Sequence, residues 1–462
     1  MRTSVILIFD IGKTNKKLFL FDEAYKIVYE ESIQLNETKD EDGFACEDVH
    51  ALTSWIQQKF AEILLRKDIE VKAVNFSAYG ASMVHLNESK KIITPLYNYL
   101  KPFPSTLQQQ FYNTYGGEIL MAKQTASPVL GNLNSGLQLY RLKYEKPEVY
   151  HQIKYSLHLP QYISFIISSA TTSDITSIGC HTHLWDFKKN TYHQWVYKEK
   201  IRAKFPAIYR DEKIINIING HKKVPVGIGL HDSSAALIPY LNSFAEPFVL
   251  LSTGTWCISL NPFNHSLLTD YELQQDCLCY LNYEGKPVKA SRLFAGYEHE
   301  QQVKRLSKHF NKANDHYLTV QYDDSLLKKL QQINSTQKLN GTPEIMKESM
   351  FVQRDITNFE NYEEAYHQLI FDMIVQQVKS TKIILHNSPV KKIFVDGGFS
   401  QNNVYMNLLA AAFPDIKISA ANIPQASALG AALAIHKHWN RNAVPDNLIS
   451  LKTYETASNI ML

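Results

Sequence analysis

The same ordered set of strand–turn units occurs twice in this chain, once in each half. Val5 to Phe9 is a short apolar run, followed by the polar turn Gly12-Lys-Thr-Asn15 and a second apolar run, Leu18 to Phe21. Two such runs around a short polar turn predict a β-hairpin. Residues 248–260, Phe-Val-Leu-Leu-Ser-Thr-Gly-Thr-Trp-Cys-Ile-Ser-Leu, repeat the plan of strand, hydroxyl-glycine turn and strand. Lys72 to Phe76 ends in Ser77-Ala-Tyr-Gly80, and Lys392 to Val395 ends in Asp396-Gly-Gly398. Val224 to Ile228 breaks at glycines and leads through Asp232 into a small-residue helix. Ile416 to Ala420 leads through a loop into a second such helix, Ala426 to Ala432. The halves share negligible sequence identity, so the duplication is one of architecture.

A chain of 462 residues is too long for one core, which fits two domains, expected at residues 1–240 and 241–462. Amphipathic helices separate the strands. Leu52, Ile56, Phe60, Ile63 and Leu64 share one face of residues 49–65, and Ala365, Leu369, Ile370, Met373, Ile374 and Val378 share one face of residues 363–379. Strands alternating with helices predict layered α/β domains. Residues 237–247, with Pro239 and Pro247, are the expected hinge. The lysine-rich stretch 298–348 reads as a surface insertion in the second domain, and residues 203–223 are mixed in character.

Composition removes several function classes. The chain is 45% apolar and 20% charged with a net charge of +3, as in an ordinary globular protein. No lysine–arginine block interleaves with aromatics, which excludes nucleic acid as the expected partner. The apolar run before Asp10 is too short for a signal-peptide core, and no run of about 20 apolar residues exists, so no membrane span is expected. A cytoplasmic location follows, and a homodimer is left open. The cysteines Cys46, Cys180, Cys257, Cys277 and Cys279 are scattered; Cys277 and Cys279 have neither zinc-site nor redox-pair spacing. They read as reduced, buried thiols.

The turns carry the chemistry. In Asp10-Ile-Gly-Lys-Thr-Asn-Lys-Lys17, Gly12 lets backbone approach an anion, Thr14 and Asn15 can donate hydrogen bonds, and Lys13, Lys16 and Lys17 add positive charge. Asp10 can hold Mg²⁺, which prefers oxygen ligands. No Walker A pattern is present. Ser252-Thr-Gly-Thr255 offers hydroxyls and a flexible glycine to the other side of a polyphosphate. Gly397-Gly398, with Ser400 as expected cap of the helix Val404 to Phe413, lets a flat ring lie against backbone. Asp232 sits at a strand-to-helix turn, where a carboxylate can orient a sugar hydroxyl and accept its proton. Taken singly, each part also reads as a plain hairpin or a capped helix. Their occurrence together and in order points to phosphoryl transfer, where positioning and charge neutralisation dominate.

In this order the parts resemble the carbohydrate kinases named for their FGGY signature, within the sugar kinase, Hsp70 and actin superfamily. Asp10 to Lys17 is similar to the family's first phosphate motif, with Lys13, Asn15 and Lys17 in place of threonine, serine and arginine. Leu251-Ser-Thr-Gly-Thr-Trp256 resembles its second phosphate motif, and Gly397-Gly398 with Asn402 its adenosine motif. Gly229-Leu-His-Asp232 resembles the segment carrying the catalytic aspartate. The His-Asp pair and the Ser-Thr-Gly-Thr-Trp turn look most like the rhamnulose and fuculose kinase branch.

The resemblance implies ATP and Mg²⁺ as cofactors and two ribonuclease-H-like, actin-like ATPase domains around a central cleft. The implied acceptor is a sugar, a ketose or deoxy-ketohexose such as rhamnulose or fuculose. Gly12, Thr14, Asn15, Lys17, Thr253, Gly254 and Thr255 would bind phosphates. Gly397, Gly398 and Asn402 would bind the nucleotide, and Asp10 and Asp232 the metal. Gly80, Ala81, Ser82, Tyr99, His231 and Asp232 would line the sugar site, with Asp232 as the catalytic base. Departures mark the acceptor side. Ser82 stands where rhamnulose kinases resemble Trp-Gly-x-Asp, and Gln138 stands where the first FGGY signature, here Asn134 to Glu145, has lysine. The second signature, Phe294-Ala-Gly-Tyr297, is partial, and Thr172-Ser-Asp174 resembles a structural Thr-x-Asp. Alternatives are a xylulose, ribulose or glycerol kinase, a non-catalytic sugar or nucleotide sensor of the same fold, and an Hsp70-like or actin-like interaction ATPase.

Overall fold

The computed structural model describes residues 2–209, 214–219, 222–336 and 349–455. The first sheet has seven strands: β1 (Thr3–Ile11), β2 (Lys16–Asp22), β3 (Ile27–Ile33), β4 (Ile69–Ala78), β5 (Ile214–Asn219), β6 (Lys222–Gly227) and the short β7 (Leu230–His231). Their order is β5-β6-β4-β1-β2-β3, and β7 also pairs with β4. The second sheet comprises β8 (Phe248–Thr253), β9 (Cys257–Asn261), β10 (Leu278–Leu281), β11 (Pro287–Leu293), β12 (Lys392–Gly397), β13 (Lys417–Asn422) and β14 (Ser450–Tyr454), in the order β10-β11-β9-β8-β12-β13-β14.

Superposing the two orders reveals the duplication. In each sheet an opening hairpin (β1–β2, β8–β9) is antiparallel, its first strand pairs in parallel with a distant strand (β4, β12), and a further parallel strand follows (β6, β13). These are the three units read from the sequence, in the same order. The fold is that of two mixed α/β domains built on one repeated sheet plan.

Alternation along the central strands places helices on both faces. In β1, Val5, Leu7, Phe9 and Ile11 face a core shared with Leu52, Trp55 and Ile56 of the helix Val49–Leu65 and with Tyr162 and Ile163 of the helix Leu159–Ser168. Ile6 and Ile8 face the opposite core. That period of two, apolar on both faces, is the signature of a buried sheet. In the second sheet, Val249 and Leu251 meet the helices Tyr362–Leu385 and Asn403–Ala412. Phe248 and Leu250 meet Leu237 and Tyr240.

The helix Asp232–Ser243 therefore lies between the sheets. Ala235 and Ile238 belong to the core under β1, and Leu237 and Tyr240 to the core under β8. The helix Ala426–Ala434 packs against it. A Cβ on Gly430 would stand 1.8 Å from the carbonyl oxygen of Ala235, so the crossing needs glycine there. Asn75 of β4 bonds the buried Ala431 carbonyl at 2.7 Å, which ties the crossing to the first sheet.

Several expectations need correction. The hinge does not begin at 237: the helix runs to Ser243 with Pro239 inside it, and only the segment after it remains as a connector. Pro239 lies two turns into the helix, yet packing against both sheets holds the helix together around it. The stretch from 298 is not simply a surface insertion. The helix Ala295–His309 buries Val303 and Leu306, and the helix Asp324–Thr336 buries Leu327 and Leu330. Residues 337–348 of that stretch lie outside the described residues. The helix expected over 363–379 extends over Tyr362–Leu385, capped by Asn361. All five cysteines are free and buried, as expected. Among the described residues no helix is long and apolar enough to cross a membrane.

Gly430→Ala forces the two central helices apart. Overpacking of this kind costs about 1–3 kcal/mol, so the variant should unfold at lower denaturant and lower temperature than the parent. An unchanged unfolding midpoint would show that the crossing relaxes freely.

Candidate active site

Strand geometry explains why the site lies where the two halves meet. β6 breaks after Gly227, and the chain resumes as β7, which leads directly into the helix Asp232–Ser243. Gly229 makes the break: its φ is +82°, and a Cβ there would meet the Pro160 carbonyl oxygen at 2.5 Å. Asp232 is thus the first residue of a helix, where the N-terminal end of the helix dipole favours a carboxylate. Its Oδ1 accepts from the Ser233 amide at 2.6 Å, while Oδ2 carries none of the hydrogen bonds among the described residues. The usual structural role of a turn aspartate, capping, therefore uses one oxygen only.

Asp232 lines a cavity of about 440 Å³ together with His181, Arg292, Asp396, Gln425 and Ser427, residues drawn from both halves. The side chain is 36% exposed, but into this cavity. Desolvation by the cavity walls raises its pKa from the ordinary 3.8 to about 6, against the lowering effect of the Ser233 hydrogen bonds. Asp10, near the end of β1, is likewise raised from 3.8 to about 6. Burial is again the largest cause, the Asp232 charge adds to it, and the hydroxyls of Ser427 and Ser77 oppose it. Ser427 donates to Asp10 Oδ2 at 2.8 Å, so the N-terminus of the second central helix sits on the first half's carboxylate.

Burial raises both carboxyls, and the Asp232 charge adds to the rise at Asp10, so a bound cation would relieve both. Their hard oxygen donors, in a water-accessible cavity, suit Mg²⁺, so the donor chemistry fits the group implied by the sequence. Lys17 adds positive charge near Asp10, and its ammonium bonds Gln425 across the halves at 3.2 Å.

The first turn closes as a tight hairpin, with Gly12 N–H donating to the Asn15 carbonyl at 2.9 Å. Thr14 and Asn15 are exposed at its tip, and the Asn15 side chain accepts from Gln34 at 3.0 Å. Neither residue, nor Gly12, lines the 440 Å³ cavity. Lys16 turns inward instead: it is buried and paired with Glu47 at 3.0 Å, and Glu47 accepts from Tyr79 at 2.6 Å. A buried network therefore supports the turn from below.

The second turn leaves Gly254 and Thr255 exposed, whereas Thr253 is 2% exposed. The Thr253 hydroxyl donates to the Asp396 carbonyl and accepts from the Phe399 amide at 3.0 Å. It thus joins the hairpin to the Gly397-Gly398 turn. Gly397 is forced at that junction by a φ of +79° and by the Thr253 carbonyl oxygen, 1.9 Å from where a Cβ would be. Gly398 faces open space. A second cavity of about 250 Å³ lies here, lined by Gly254, Gly296, His299, Gly398, Phe399 and Asn402 among others. Asn402, rather than Ser400, caps the helix: its Oδ1 accepts from Tyr405 N at 3.0 Å and its Nδ2 donates to the Tyr366 hydroxyl at 2.6 Å. Ser400 belongs to a preceding turn of 3₁₀ helix and bonds the Gly397 carbonyl at 2.7 Å.

The wall around His231 is built in two layers. His231 and Asp232 face the 440 Å³ cavity, and Tyr99 is close enough that the Asp232 charge, after burial, raises its pKa. Gly80 lies against the His231 imidazole, where a Cβ would meet the ring at 2.7 Å. Ala81 and Ser82, each 2% exposed, back this wall instead of lining it. Gln138, at the lysine position of the first signature, bonds the Ala81 carbonyl at 2.8 Å, and Asn134 bonds the His181 carbonyl at 2.8 Å. Asp174 bonds Thr176, whose hydroxyl accepts from His231 N at 3.0 Å. The signature segments are thus scaffolding for the loops that carry His181, His231 and Asp232. Gly296 of the second signature plays the same part, its α-carbon pressed against the Gly254 carbonyl of the second turn.

Sequence reasoning did not single out Cys180, His181, Tyr280, Arg292, Asp396 or Ser427 as site residues, yet all line the larger cavity. Asp396 was readable as the first polar residue after a matched strand, and Ser427 as the first hydroxyl of the small-residue helix that follows one. Cys180, His181, Tyr280 and Arg292 come from segments with no counterpart in the duplicated plan.

Residues 5–239 match the N-terminal domain of the FGGY family of carbohydrate kinases, and residues 245–443 match a carbohydrate kinase FGGY C-terminal domain. The chain belongs to the FGGY family. FGGY proteins of known structure share its fold. A carbohydrate kinase from Novosphingobium aromaticivorans aligns with a TM-score of 0.80 at 22% identity, over 98% of this chain and 95% of that one. A xylulose kinase from Lactobacillus acidophilus aligns at 0.77 and 16%, over 98% and 94%. A gluconate kinase from the same organism aligns at 0.78 and 17%, again over 98% and 94%. A rhamnulokinase from Halalkalibacterium halodurans is 24% identical over 269 residues, 54% of each chain. The match thus spans about half the length of that curated relative.

The raised carboxyls of this FGGY site bind protons in the folded state that they would release at the same pH when unfolded. Stability therefore falls as pH rises from about 4 to about 6 and stays lowered above that window. Asp232→Asn removes one such group. At pH 7 the variant should melt above the parent in the absence of divalent cations, and the difference should vanish near pH 4. A variant less stable at pH 7 would contradict the desolvated carboxylate.

Proposed function

We propose that this chain is an ATP-dependent carbohydrate kinase that transfers the γ-phosphate to a hydroxyl of a ketose, with a deoxy-ketohexose of the rhamnulose type first in line. The observation that carries the reading is that Asp232 lines a cavity formed by both halves while Asp10 sits just behind it, hydrogen-bonded at 2.8 Å by the cavity residue Ser427 and within the field of the Asp232 charge. In this reading residues 1–240 supply the acceptor site, the first phosphate turn and the base. Residues 241–462 supply the second phosphate turn and the nucleotide pocket. The family matches to residues 5–239 and 245–443 support that division.

Asp232 Oδ2, free of protein hydrogen bonds, accepts the proton of the acceptor hydroxyl as its oxygen attacks the γ-phosphorus. The hydroxyl oxygen–phosphorus bond forms while the bond to the β,γ-bridging oxygen breaks, and ADP leaves with the electron pair. Asp10 and Asp232 would hold Mg²⁺, which neutralises polyphosphate charge when bound. The exposed turns at Gly12, Thr14 and Asn15 and at Gly254 and Thr255, with Lys17, contact the phosphates. Thr253 and Asn402 act differently from the sequence expectation: their side chains build the turn and the helix cap, so they contribute through backbone and shape. Gly397 and Gly398 give the adenosine a flat floor beside the 250 Å³ cavity. A cytoplasmic location accords with ATP as donor.

The rhamnulokinase relative and the His231-Asp232 pair favour a deoxy-ketohexose. Structural neighbours titled as xylulose and gluconate kinases set the competing acceptors.

A coupled ADP-release assay across deoxyketoses, ketopentoses, polyols and aldonates should show one acceptor class that stimulates turnover. ATP binding with no acceptor-dependent turnover would replace this reading with a sensor. Asp232→Asn should cut kcat by about 10²–10⁴-fold, the range of general-base catalysis, with ATP affinity nearly unchanged. The kcat/KM of the parent should rise with pH through about 6, as the free carboxyl ionises. A profile flat between pH 5 and 8 would remove Asp232 as the base.

A further inference from the structure

Cys180, His181 and His231 converge on one wall of the larger cavity, and phosphoryl transfer makes no use of their ligand chemistry. One ligand atom from each, a sulfur and two imidazole nitrogens, lies within 4.8 Å of the others. His231 Nε2 stands 3.6 Å from Cys180 Sγ and 3.4 Å from Asp232 Oδ1. A tetrahedral zinc ion with bonds of about 2.3 Å to sulfur and about 2.0–2.2 Å to nitrogen or oxygen keeps its ligand atoms roughly 3.3–3.6 Å apart. His231 already holds that spacing to a thiol and to a carboxylate. His181 is oriented from behind: its Nδ1 lies 3.1 Å from the Leu133 carbonyl, which fixes the proton there and leaves the Nε2 lone pair free. A backbone carbonyl on the remote nitrogen is the usual support of a metal-binding histidine. The His181 backbone is itself held at a φ of +40°, and conformational strain of this kind persists where surrounding contacts impose it. Asn134 supplies one such contact through the His181 carbonyl.

We infer that Cys180, His181, His231 and Asp232 form a binding site for a transition metal of the zinc class, overlapping the acceptor pocket. Thiol, imidazole and carboxylate together select zinc or cobalt over magnesium, which takes oxygen ligands alone. The thiol proton leaves to solvent as the metal–sulfur bond forms. An ion held there occupies Asp232 Oδ1 and narrows the acceptor cavity, so occupancy and phosphoryl transfer exclude each other. That consequence rests on the proposed function; the binding itself does not.

Chelator-treated full-length protein, titrated with Co²⁺ in the absence of ATP and sugar, tests the site. The expected result is a thiolate-to-cobalt charge-transfer band with intense tetrahedral visible bands, saturating at one equivalent, displaced by Zn²⁺ and untouched by excess Mg²⁺. Cys180→Ser should abolish the charge-transfer band, and His181→Ala should weaken Co²⁺ binding by about 10–100-fold. Absence of the band from the parent, or its survival in Cys180→Ser, overturns the site. If the serine variant does not fold, the parent titration and His181→Ala decide the matter. Zn²⁺ should also inhibit turnover competitively with the sugar acceptor. A chain without kinase activity that still shows the cobalt bands would refute the proposed function and leave the metal site standing.

Discussion

The contact between Gly430 and the Ala235 carbonyl holds the rest of the molecule in register. It lets the helices Asp232–Ser243 and Ala426–Ala434 cross at backbone distance, between two sheets that share no strand. Each helix begins at the cavity. One starts with Asp232, and the other brings Ser427 within hydrogen-bond reach of Asp10. A side chain at position 430 would therefore do more than cost packing energy. It would move the two helix N-termini, and with them the only two aspartates that the proposed chemistry needs. Interhelical distance is set by the residues at the contact, so a stretch rich in alanine and glycine is the sequence form of this constraint.

The electrostatics follow from the same crossing. Bringing the N-terminus of each helix to one cavity desolvates both carboxylates and places Asp10 within the field of Asp232. Without a cation both carboxyls prefer their protons up to about pH 6. A divalent ion reverses that preference by supplying the missing charge. A desolvated aspartate pair is thus a poor contributor to stability and a good receptor for a cation. Tolerating the first is consistent with a fold that buries apolar cores on both faces of each sheet.

Much of this was legible in the sequence, and the reason is that duplicated architecture leaves a pattern in each half. Short apolar runs, glycine turns and small-residue helices are local signals, so β1, β2, β4, β6, β8, β9, β12 and β13 could be placed along with both central helices. Asp10 and Asp232 followed because each ends a matched strand. What local signals do not carry is the partner of a polar side chain. Thr253 and Asn402 look like ligand contacts in a linear reading. In the fold one ties a hairpin to a neighbouring turn, and the other caps a helix against Tyr366. Ser400 was read as the cap because it precedes the helix, but a turn of 3₁₀ helix intervenes and hands the role to Asn402. Proline within the helix Asp232–Ser243 was read as a breaker, and tertiary packing overrode it.

The cavity wall around His181 and His231 shows where such reading stops for a physical reason. Cys180 and His181 lie in a segment inserted between matched units, and Arg292 and Tyr280 lie on β11 and β10 of the opposite half. No spacing rule links them, since their proximity is created only when the two sheets close over the same helix pair. The family motifs Asn134 and Gln138 act through this wall at one remove, holding the carbonyls of His181 and Ala81. Gln138 and Ser82 therefore lie one layer behind the side chains that reach the cavity. The side chains that reach the cavity, His181, His231, Tyr280 and Arg292, are a neutral donor–acceptor set with one fixed positive charge. That combination can recognise a polyhydroxylated acceptor by paired hydrogen bonds, and among the described residues Asp232 and Asp396 are the acidic side chains of the lining.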